Sequence, residues 1–324
     1  MDALNKADRS WRLRAGAAWT PLFAVTLVGL DDQPVPCRDG VLLRPHRTTA
    51  DLPAPDLVVV PAFDDEDLNA SLAENRVWVP WLKSWHAGGA RIASSCIGAF
   101  LLADAGLLNG RAMTTHWMFA DTIRRQYPDV HVTSDQLIVD TGDIITCGGA
   151  TAFLALVIYL VERFGGHERA ALASKVLLID GGRTSQLPFL AMTPHRDHDD
   201  ELIRRVQDHI DTHLDAPFKT ELIARAFGIS QRTLTRRFRA ATGASVHGYL
   251  QQARVHHAKR LLETTTEPIE QIRAATGYLD PASFRRAFQR AAGVSPRQYR
   301  DTFGPRRTRP HTEKTAPVPP VPAH

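Results

Sequence analysis

The chain has 324 residues, of which 44% are hydrophobic, and a formal net charge of +4. This length suits two domains, and the hydrophobic content suits packed cores. Apolar runs stay well below the roughly 20 residues that a membrane span needs, so we expect no membrane association. Three cysteines without metal or disulfide spacing favour a reduced, cytoplasmic protein that binds no metal and no cofactor.

Positive charge is concentrated towards the C-terminal end. Residues 199–304 contain 17 Lys and Arg against 12 Asp and Glu, whereas residues 1–198 contain 18 against 22. This distribution is the one that phosphate binding requires of a nucleic-acid-binding segment. The excess is modest, and it does not identify such a segment by itself.

The first 180 residues alternate predicted strands and helices. Residues 1–20 look like the end of an amphipathic helix, and a helix is predicted over residues 66–86, interrupted by Pro80. Apolar runs predict the strands. Strands are expected at 23–30, 41–43, 56–62, 90–94, 130–132, 137–139 and 144–146, and further helices at 97–105, 117–126, 150–164 and 167–179. The alternation predicts an α/β fold with a largely parallel sheet.

One cysteine stands where a predicted strand turns into a predicted helix. The segment RIASSCIG, residues 91–98, runs from an apolar strand into Cys96 and then Gly98. A turn of this kind presents a nucleophile over the sheet edge, and the helix N-terminus is expected to lower the pKa of the thiol. His116 follows twenty residues later, after another short extended run, and is expected to approach the thiol.

Together with GAFLLADAGLLNGRAMTTHW, these residues resemble the PfpI-type, class I glutamine-amidotransferase-like domain over about residues 21–179. The resemblance implies a flavodoxin-like parallel-sheet sandwich. Two hypotheses follow for the site. In a hydrolase or amidase, Cys96 attacks a carbonyl or related carbon while His116 acts as base and then acid. In the other hypothesis, the same turn binds a small ligand without turning it over.

Two departures from the family pattern favour ligand binding without catalysis. The enzymes of this family use a carboxylate beside the cysteine, which the first helix commonly supplies. In this chain Asp2 is the only acidic residue left at the start of that helix. Relatives also usually carry an aspartate where this chain has Ala155. The expected first strand and most of the first helix are missing, which indicates either a late start site or an open sheet edge. An open edge predicts poor solubility or a dimer partner that covers it.

A basic pattern occurs twice near the C-terminal end. Residues 228–250, GISQRTLTRRFRAATGASVHGYL, match residues 277–300, GYLDPASFRRAFQRAAGVSPRQYR. In each copy a glycine turn precedes a short helix with apolar side chains on one face and arginines on the opposite face. Asp280 is the predicted N-cap of the second helix, with Pro281 at its first position. The duplication predicts two recognition helices that enter major-groove segments roughly 34 Å apart.

Residues from about 199 to 303 resemble the DNA-binding domain of AraC-type transcription regulators, over about a third of the chain. Regulators that fuse this module to a PfpI-type domain form a group often called GlxA-like. The resemblance implies a transcription regulator that binds double-stranded DNA. Helical phase and the resemblance predict the DNA-facing residues, which are Arg232, Thr235, Arg236, Arg239, Ala282, Ser283, Arg285, Arg286 and Gln289.

The predicted domain limits follow from composition. A sensor or dimerisation domain is expected at 1–180, a linker at 181–198, the DNA-binding domain at 199–304 and a disordered tail at 305–324. The helix predicted over residues 246–263 is expected to act as a rigid connector between the two recognition helices.

The expected partners are DNA, RNA polymerase, an unknown small-molecule effector and a second copy of the chain. The N-terminal domain would sense the effector, form the homodimer, or serve as a dimerisation scaffold alone. Arg237 and Lys259 are predicted to contact phosphate or solvent. A cysteine-dependent hydrolase or amidase that uses Cys96 and His116 is the alternative function, and we expect the protein not to be an enzyme.

Overall fold

The computed structural model describes residues 2–15, 20–37, 40–190, 196 and 198–305. The chain separates into two compact units, Met1–Leu187 and Pro188–His324, which we call the N-terminal and C-terminal units. This division falls inside the range assigned to a linker, whose limits stay a prediction. The predicted disordered tail lies outside the described residues, apart from Pro305. Within the described ranges, no helix is long and apolar enough to cross a membrane.

The N-terminal unit alternates short strands and helices, as predicted. Its strands are β1 (Val28–Gly29), β2 (Val35–Pro36), β3 (Leu42–Leu43), β4 (Arg47–Thr48), β5 (Leu57–Val60), β6 (Arg91–Ser95), β7 (Ala112–Met113), β8 (His131–Val132), β9 (Ile138–Asp140) and β10 (Ile144–Cys147). Its helices are α1 (Asp2–Ala15), α2 (Leu68–Asn75), α3 (Val79–Ala87), α4 (Gly98–Asp104), α5 (Ala120–Gln126), α6 (Ala152–Gly165) and α7 (His167–Leu177).

The main sheet has the strand order β5-β6-β10-β9. The first three strands are parallel, and β9 runs antiparallel at one edge. Ile92 and Phe100 are buried on one side of this sheet, and Ala93 and Leu156 are buried on the other. Helices therefore cover both faces, which confirms the predicted α/β sandwich. Among the described residues, no strand pairs with the outer edge of β5.

The strand predicted over residues 23–30 is mostly wrong. Only Val28 and Gly29 pair, in parallel with β4. The backbone N–H of Leu27 instead donates to Nδ1 of His46 at 3.1 Å. A side-chain acceptor has thus replaced a strand carbonyl, which apolar periodicity does not reveal.

The helix predicted over residues 66–86 is interrupted, as expected, although the break lies just before Pro80. Two helices, α2 and α3, are separated by the 3₁₀ turn Arg76–Trp78. Pro80 lies in the first turn of α3 and does not interrupt it. A proline is tolerated there because the first N–H groups of a helix have no intrahelical acceptor.

The amphipathic helix expected in the first twenty residues is present as α1. Leu4 and Ala7 are buried against Val161 of α6 and Ala170 of α7. The backbone N–H of Leu22 donates to both carboxylate oxygens of Asp8, at 3.0 and 2.9 Å. These contacts attach α1 to the outside of the sandwich.

The described part of the C-terminal unit is helical, as predicted. Its helices are α8 (Glu201–Thr212), α9 (Thr220–Ala226), α10 (Gln231–Thr242), α11 (Val246–Thr264), α12 (Ile269–Ala275), α13 (Pro281–Ala292) and α14 (Pro296–Phe303). We call α9 with α10 the first motif, and α12 with α13 the second motif. Tyr249 and Leu250 of α11 lie in the core of the first motif, and Ala258 and Leu262 lie in the core of the second. The long helix α11 therefore connects two separate cores.

Two basic residues predicted to contact phosphate or solvent have protein partners instead. Arg237 donates to Asp200 through Nε at 2.9 Å and Nη2 at 2.6 Å. Lys259 is buried, and its Nζ donates to the carbonyl of Leu190 at 3.1 Å and lies 5.3 Å from the centroid of the Tyr299 ring. Both side chains hold the fold together, because each partner comes from a distant part of the chain.

Candidate nucleic-acid interface and ligand site

Both predicted recognition helices begin at a side-chain cap. Ser230 precedes α10, and its Oγ accepts the N–H of Thr233 at 3.2 Å. Asp280 precedes α13, and its carboxylate accepts the N–H groups of Ala282 and Ser283. Such caps satisfy N–H groups that have no acceptor within the helix. The predicted cap at Asp280 is confirmed.

The inward face of each helix is held by aromatic packing. Phe238 of α10 lies 5.4 Å from the ring of Tyr249, and Phe288 of α13 lies 5.4 Å from the ring of Tyr299. Leu234 and Phe284, one turn earlier, are buried as well. The buried and exposed positions of α10 repeat in α13 with an offset of fifty residues, apart from one position in the first turn.

The outward face of α10 carries the predicted arginines. Arg232, Thr235, Arg236 and Arg239 are exposed and line one shallow depression, together with other residues of the same helix. Within the described part of the chain, these three arginines enter no ion pair. The face is therefore available to a polyanion.

The outward face of α13 has a different chemistry. Arg285, Arg286 and Gln289 are exposed, whereas Ala282 and Ser283 are partly buried. The Ser283 hydroxyl donates to Asp280 Oδ2 at 2.7 Å and accepts from Arg286 Nη2 at 3.1 Å. The second motif thus brings the predicted residues to one surface, but two of them are already hydrogen-bonded to their own helix.

At the sheet edge of the N-terminal unit, Cys96 follows β6 with a φ of 55°. Its N–H donates to the carbonyls of Cys147 and Gly148 at 3.0 and 3.2 Å, and Thr115 Oγ1 donates to its carbonyl at 2.8 Å. Ala150, after the neighbouring strand β10, has a φ of 43°. Non-glycine residues with positive φ are strained and cluster at functional sites. Two strained residues therefore meet where parallel strands end, the place where α/β sheets bind ligands.

The protonation of this site contradicts the expected lowering of the cysteine pKa. Burial raises the pKa of the Cys96 thiol, and the backbone N–H groups of Ala150 and Ile97 offset that only in part. Burial lowers the pKa of His116, whose Nδ1 accepts the N–H of Met118 at 3.2 Å. A neutral ring then carries its proton on Nε2. At neutral pH the pair is therefore a thiol and a neutral imidazole, because burial of the thiol outweighs the hydrogen bonds that the backbone N–H groups offer to its sulfur.

A carboxylate that the sequence analysis did not assign acts electrostatically on both members of this pair. After burial, the negative charge of Asp65 is a further influence on the pKa of both Cys96 and His116. Asp65 belongs to the loop that follows β5. The start of this loop lies against α4, since a Cβ on Gly98 would approach the carbonyl oxygen of Pro61 to 2.7 Å. The loop that carries Asp65 thus starts at the same edge of the sheet as the thiol and the imidazole.

A weak sequence signal for Asp65 existed. Residues 64–67 are all acidic and follow an apolar strand, and the carboxyl ends of parallel strands share one edge. The His116 ring packs directly against Gly149, where a Cβ would come within 1.4 Å of the ring. In the described ranges, no group of three or more His, Cys, Asp or Glu side chains is arranged to hold a metal ion.

Two family models match the chain, the DJ-1/PfpI family over residues 20–163 and a helix-turn-helix domain over residues 223–302. The HTH-type transcriptional regulator GlxA of Rhizobium meliloti is 30% identical over 217 residues, which are 67% of this chain and 67% of that protein. The chain belongs to this family of AraC-type transcription regulators. This chain is also 26% identical to the HTH-type transcriptional regulator CdhR of Pseudomonas aeruginosa, over 86% of this chain and 82% of the relative.

Two shorter similarities involve different classes of protein. An isonitrile hydratase of Pseudomonas putida is 30% identical over 154 residues, 47% of this chain and 64% of the enzyme. The DNA-binding domain of AdpA, solved with a target DNA, is 33% identical over 32% of this chain and 94% of that one, with a TM-score of 0.31. GlxA and CdhR are both named as transcriptional regulators, and this chain is a DNA-binding regulator as well.

Proposed function

We propose that α10 and α13 enter two successive major-groove segments of one DNA duplex. The supporting observation is that the buried and exposed positions of α10 recur in α13, fifty residues later. Each helix therefore has a buried apolar face and an exposed face with arginines. An α-helix fits the major groove, and an arginine fork can donate to guanine O6 and N7. The DNA-contacting residues would be Arg232, Thr235, Arg236, Arg239, Ala282, Ser283, Arg285, Arg286 and Gln289.

The contribution of these residues would differ with their length. Arg232 and Arg236 are long enough to reach guanine edges, whereas Ala282 suits contact with a thymine methyl group. Ser283 is hydrogen-bonded within its helix, so its contact would be indirect, through Arg286. Recognition would therefore be uneven along the operator.

The N-terminal unit would sense a small molecule at the edge where Cys96, His116 and Asp65 lie, and would form a homodimer. A ligand changes DNA binding only if its affinity differs between two arrangements of the protein. RNA polymerase would be the partner of the DNA-bound regulator. These assignments deepen the regulator function and do not require turnover at Cys96.

A cysteine hydrolase is the second candidate, supported by the strained turn at Cys96 and the likeness to isonitrile hydratase. Against it, the nucleophile would be a thiolate, whereas burial raises the pKa of this thiol. The base would be His116, whose Nδ1 already accepts a hydrogen bond. We therefore favour binding without catalysis.

DNA binding by the full chain tests the main proposal. Duplexes recovered from a random pool would be bound in the presence of heparin, with an affinity that falls as salt increases. Equal competition by heparin and by the recovered duplexes would refute sequence-specific binding. For the N-terminal unit, incubation with an amide or an isonitrile should give no product, and turnover that Cys96→Ser abolishes would establish the enzyme instead.

A further inference from the structure

Three positions at the N-terminal end of each recognition helix, the first of them the N-cap, correspond one to one with an offset of fifty residues. In the first motif, the Ser230 hydroxyl is 2.9 Å from Thr233 Oγ1 and accepts the Thr233 N–H at 3.2 Å. In the second motif, Asp280 Oδ2 accepts from the N–H of Ser283 at 2.8 Å and from its hydroxyl at 2.7 Å. The cap is thus neutral in one motif and a carboxylate in the other.

The third position is an exposed arginine in both helices, Arg236 in α10 and Arg286 in α13. Arg286 Nη2 donates to Ser283 Oγ at 3.1 Å and lies 4.0 Å from Asp280 Oδ2. Arg236, its counterpart, makes no such contact within the part of the chain that the structure describes. The change from Ser230 to Asp280, together with that from Thr233 to Ser283, accompanies a change in the contacts of the matched arginine.

The cap itself cannot account for this difference, because serine and aspartate start a helix about equally well. What aspartate adds is a negative charge beside the face that approaches DNA. The Ser283 hydroxyl and N–H groups lower the pKa of Asp280, so it stays ionised at neutral pH. An ionised carboxylate attracts the guanidinium and repels phosphate.

We propose that Asp280 is a positioning residue that holds Arg286 in the orientation used for base recognition and reduces the attraction of α13 for phosphate. The first motif, which has no such carboxylate, contributes more of the sequence-independent affinity, and the second motif contributes more discrimination per arginine. The inference rests on the proposed function, since it assumes that both arginines reach DNA. Its recognition chemistry is a base edge that accepts two hydrogen bonds, such as guanine.

The test replaces the charge and keeps the cap. Asp280→Asn and Asp280→Ser both retain a good N-cap, so the thermal unfolding of the full chain should change little. Both variants should bind unrelated duplex DNA more tightly, with a salt dependence steeper by up to about one unit of log–log slope. At the base pairs that Arg286→Ala identifies, discrimination should fall by about twofold to fivefold, as expected for an exposed ion pair.

The reciprocal variant Ser230→Asp provides the matched control. It should weaken binding to unrelated DNA and make the salt dependence shallower, because Arg236 then has a carboxylate within reach. Unchanged discrimination and salt dependence in Asp280→Asn would overturn the positioning role, even if Arg286→Ala still weakens binding. No loss of binding in Arg286→Ala would instead overturn the proposed DNA contact of α13, so the two failures are distinguishable.

Discussion

Phe238 in the first motif and Phe288 in the second are both fully buried, and each lies 5.4 Å from a tyrosine ring. The exposed faces above these rings have diverged. Three arginines on α10 are without an ion-pair partner among the described residues, whereas α13 has Arg286 beside Asp280. Packing therefore constrains the inner face of a recognition helix strongly, whereas the charge pattern of its outer face can change independently.

The turn glycines differ as well. Gly228 and Gly277 both have positive φ, near 70°. A Cβ on Gly228 would meet nothing within 4 Å, but a Cβ on Gly277 would lie 2.3 Å from the carbonyl oxygen of Leu214 and 2.6 Å from Arg254 Nη2. The second motif is therefore packed against the rest of the C-terminal unit at its turn, and the first motif is open there.

The largest expected effect is the loss of stability when the buried phenylalanine in the core of either motif is removed. Phe238→Ala and Phe288→Ala should each lower the free energy of unfolding by about 3–5 kcal/mol, the usual cost of removing a buried phenylalanine. Because the residues belong to separate clusters, each change should reduce amide-exchange protection mainly in its own motif. Hydrogen exchange of the full chain measures this, and equal loss of protection in both motifs would show that they share one core.

Replacing the two turn glycines by alanine should lower the free energy of unfolding by different amounts. Gly228→Ala should destabilise by about 1–2 kcal/mol, because alanine is strained in the left-handed region. Gly277→Ala should cost more, since the new methyl group must also displace the Leu214 carbonyl and the Arg254 side chain that binds it. Denaturant unfolding of both variants checks the order. Equal destabilisation would mean that the second turn has room to relax.

The matched arginines provide the next comparison. Arg236→Ala should weaken binding to a specific duplex by about 1–3 kcal/mol if it forks onto guanine. Arg286→Ala should weaken specific binding comparably but reduce binding to unrelated DNA less, because Asp280 already offsets its charge. Titrations of both variants against specific and unrelated duplexes check this. A larger loss of unrelated binding in Arg286→Ala would reverse the assignment.

The smallest expected effect concerns the third turn of each helix, where Arg239 corresponds to Gln289. Arg239→Gln should make the log–log salt slope shallower by about one, and Gln289→Arg should make it steeper by the same amount, if both positions face phosphate. Base preference should change in neither variant. A changed preference with an unchanged slope would place these side chains at base edges instead.

The sequence predicted the elements whose signals are local. Caps such as Asp280, glycine turns and the apolar positions of α10 and α13 depend on neighbours within a few residues, and the structure has them. The α/β alternation of the N-terminal unit was equally predictable, because both faces of its sheet are apolar.

Tertiary partners explain what the sequence did not predict. Periodicity placed Arg237 and Lys259 outside the cores, but Asp200 and the Leu190 carbonyl lie 37 and 69 residues away along the chain. The pKa of Cys96 depends on burial, which a strand-turn-helix pattern does not specify. Asp65 reaches the site through the ordering of strands in the sheet, and no fixed spacing in the sequence records that ordering.

The central claim, that two recognition helices read two segments of one duplex, is tested most directly by selection from a random duplex pool with three full-length proteins. The wild type should enrich two conserved segments about one helical turn apart. Arg236→Ala should lose base preference in one segment only, and Arg286→Ala should lose it in the other only. Enrichment of a single segment, or loss of the same segment in both variants, would contradict the account.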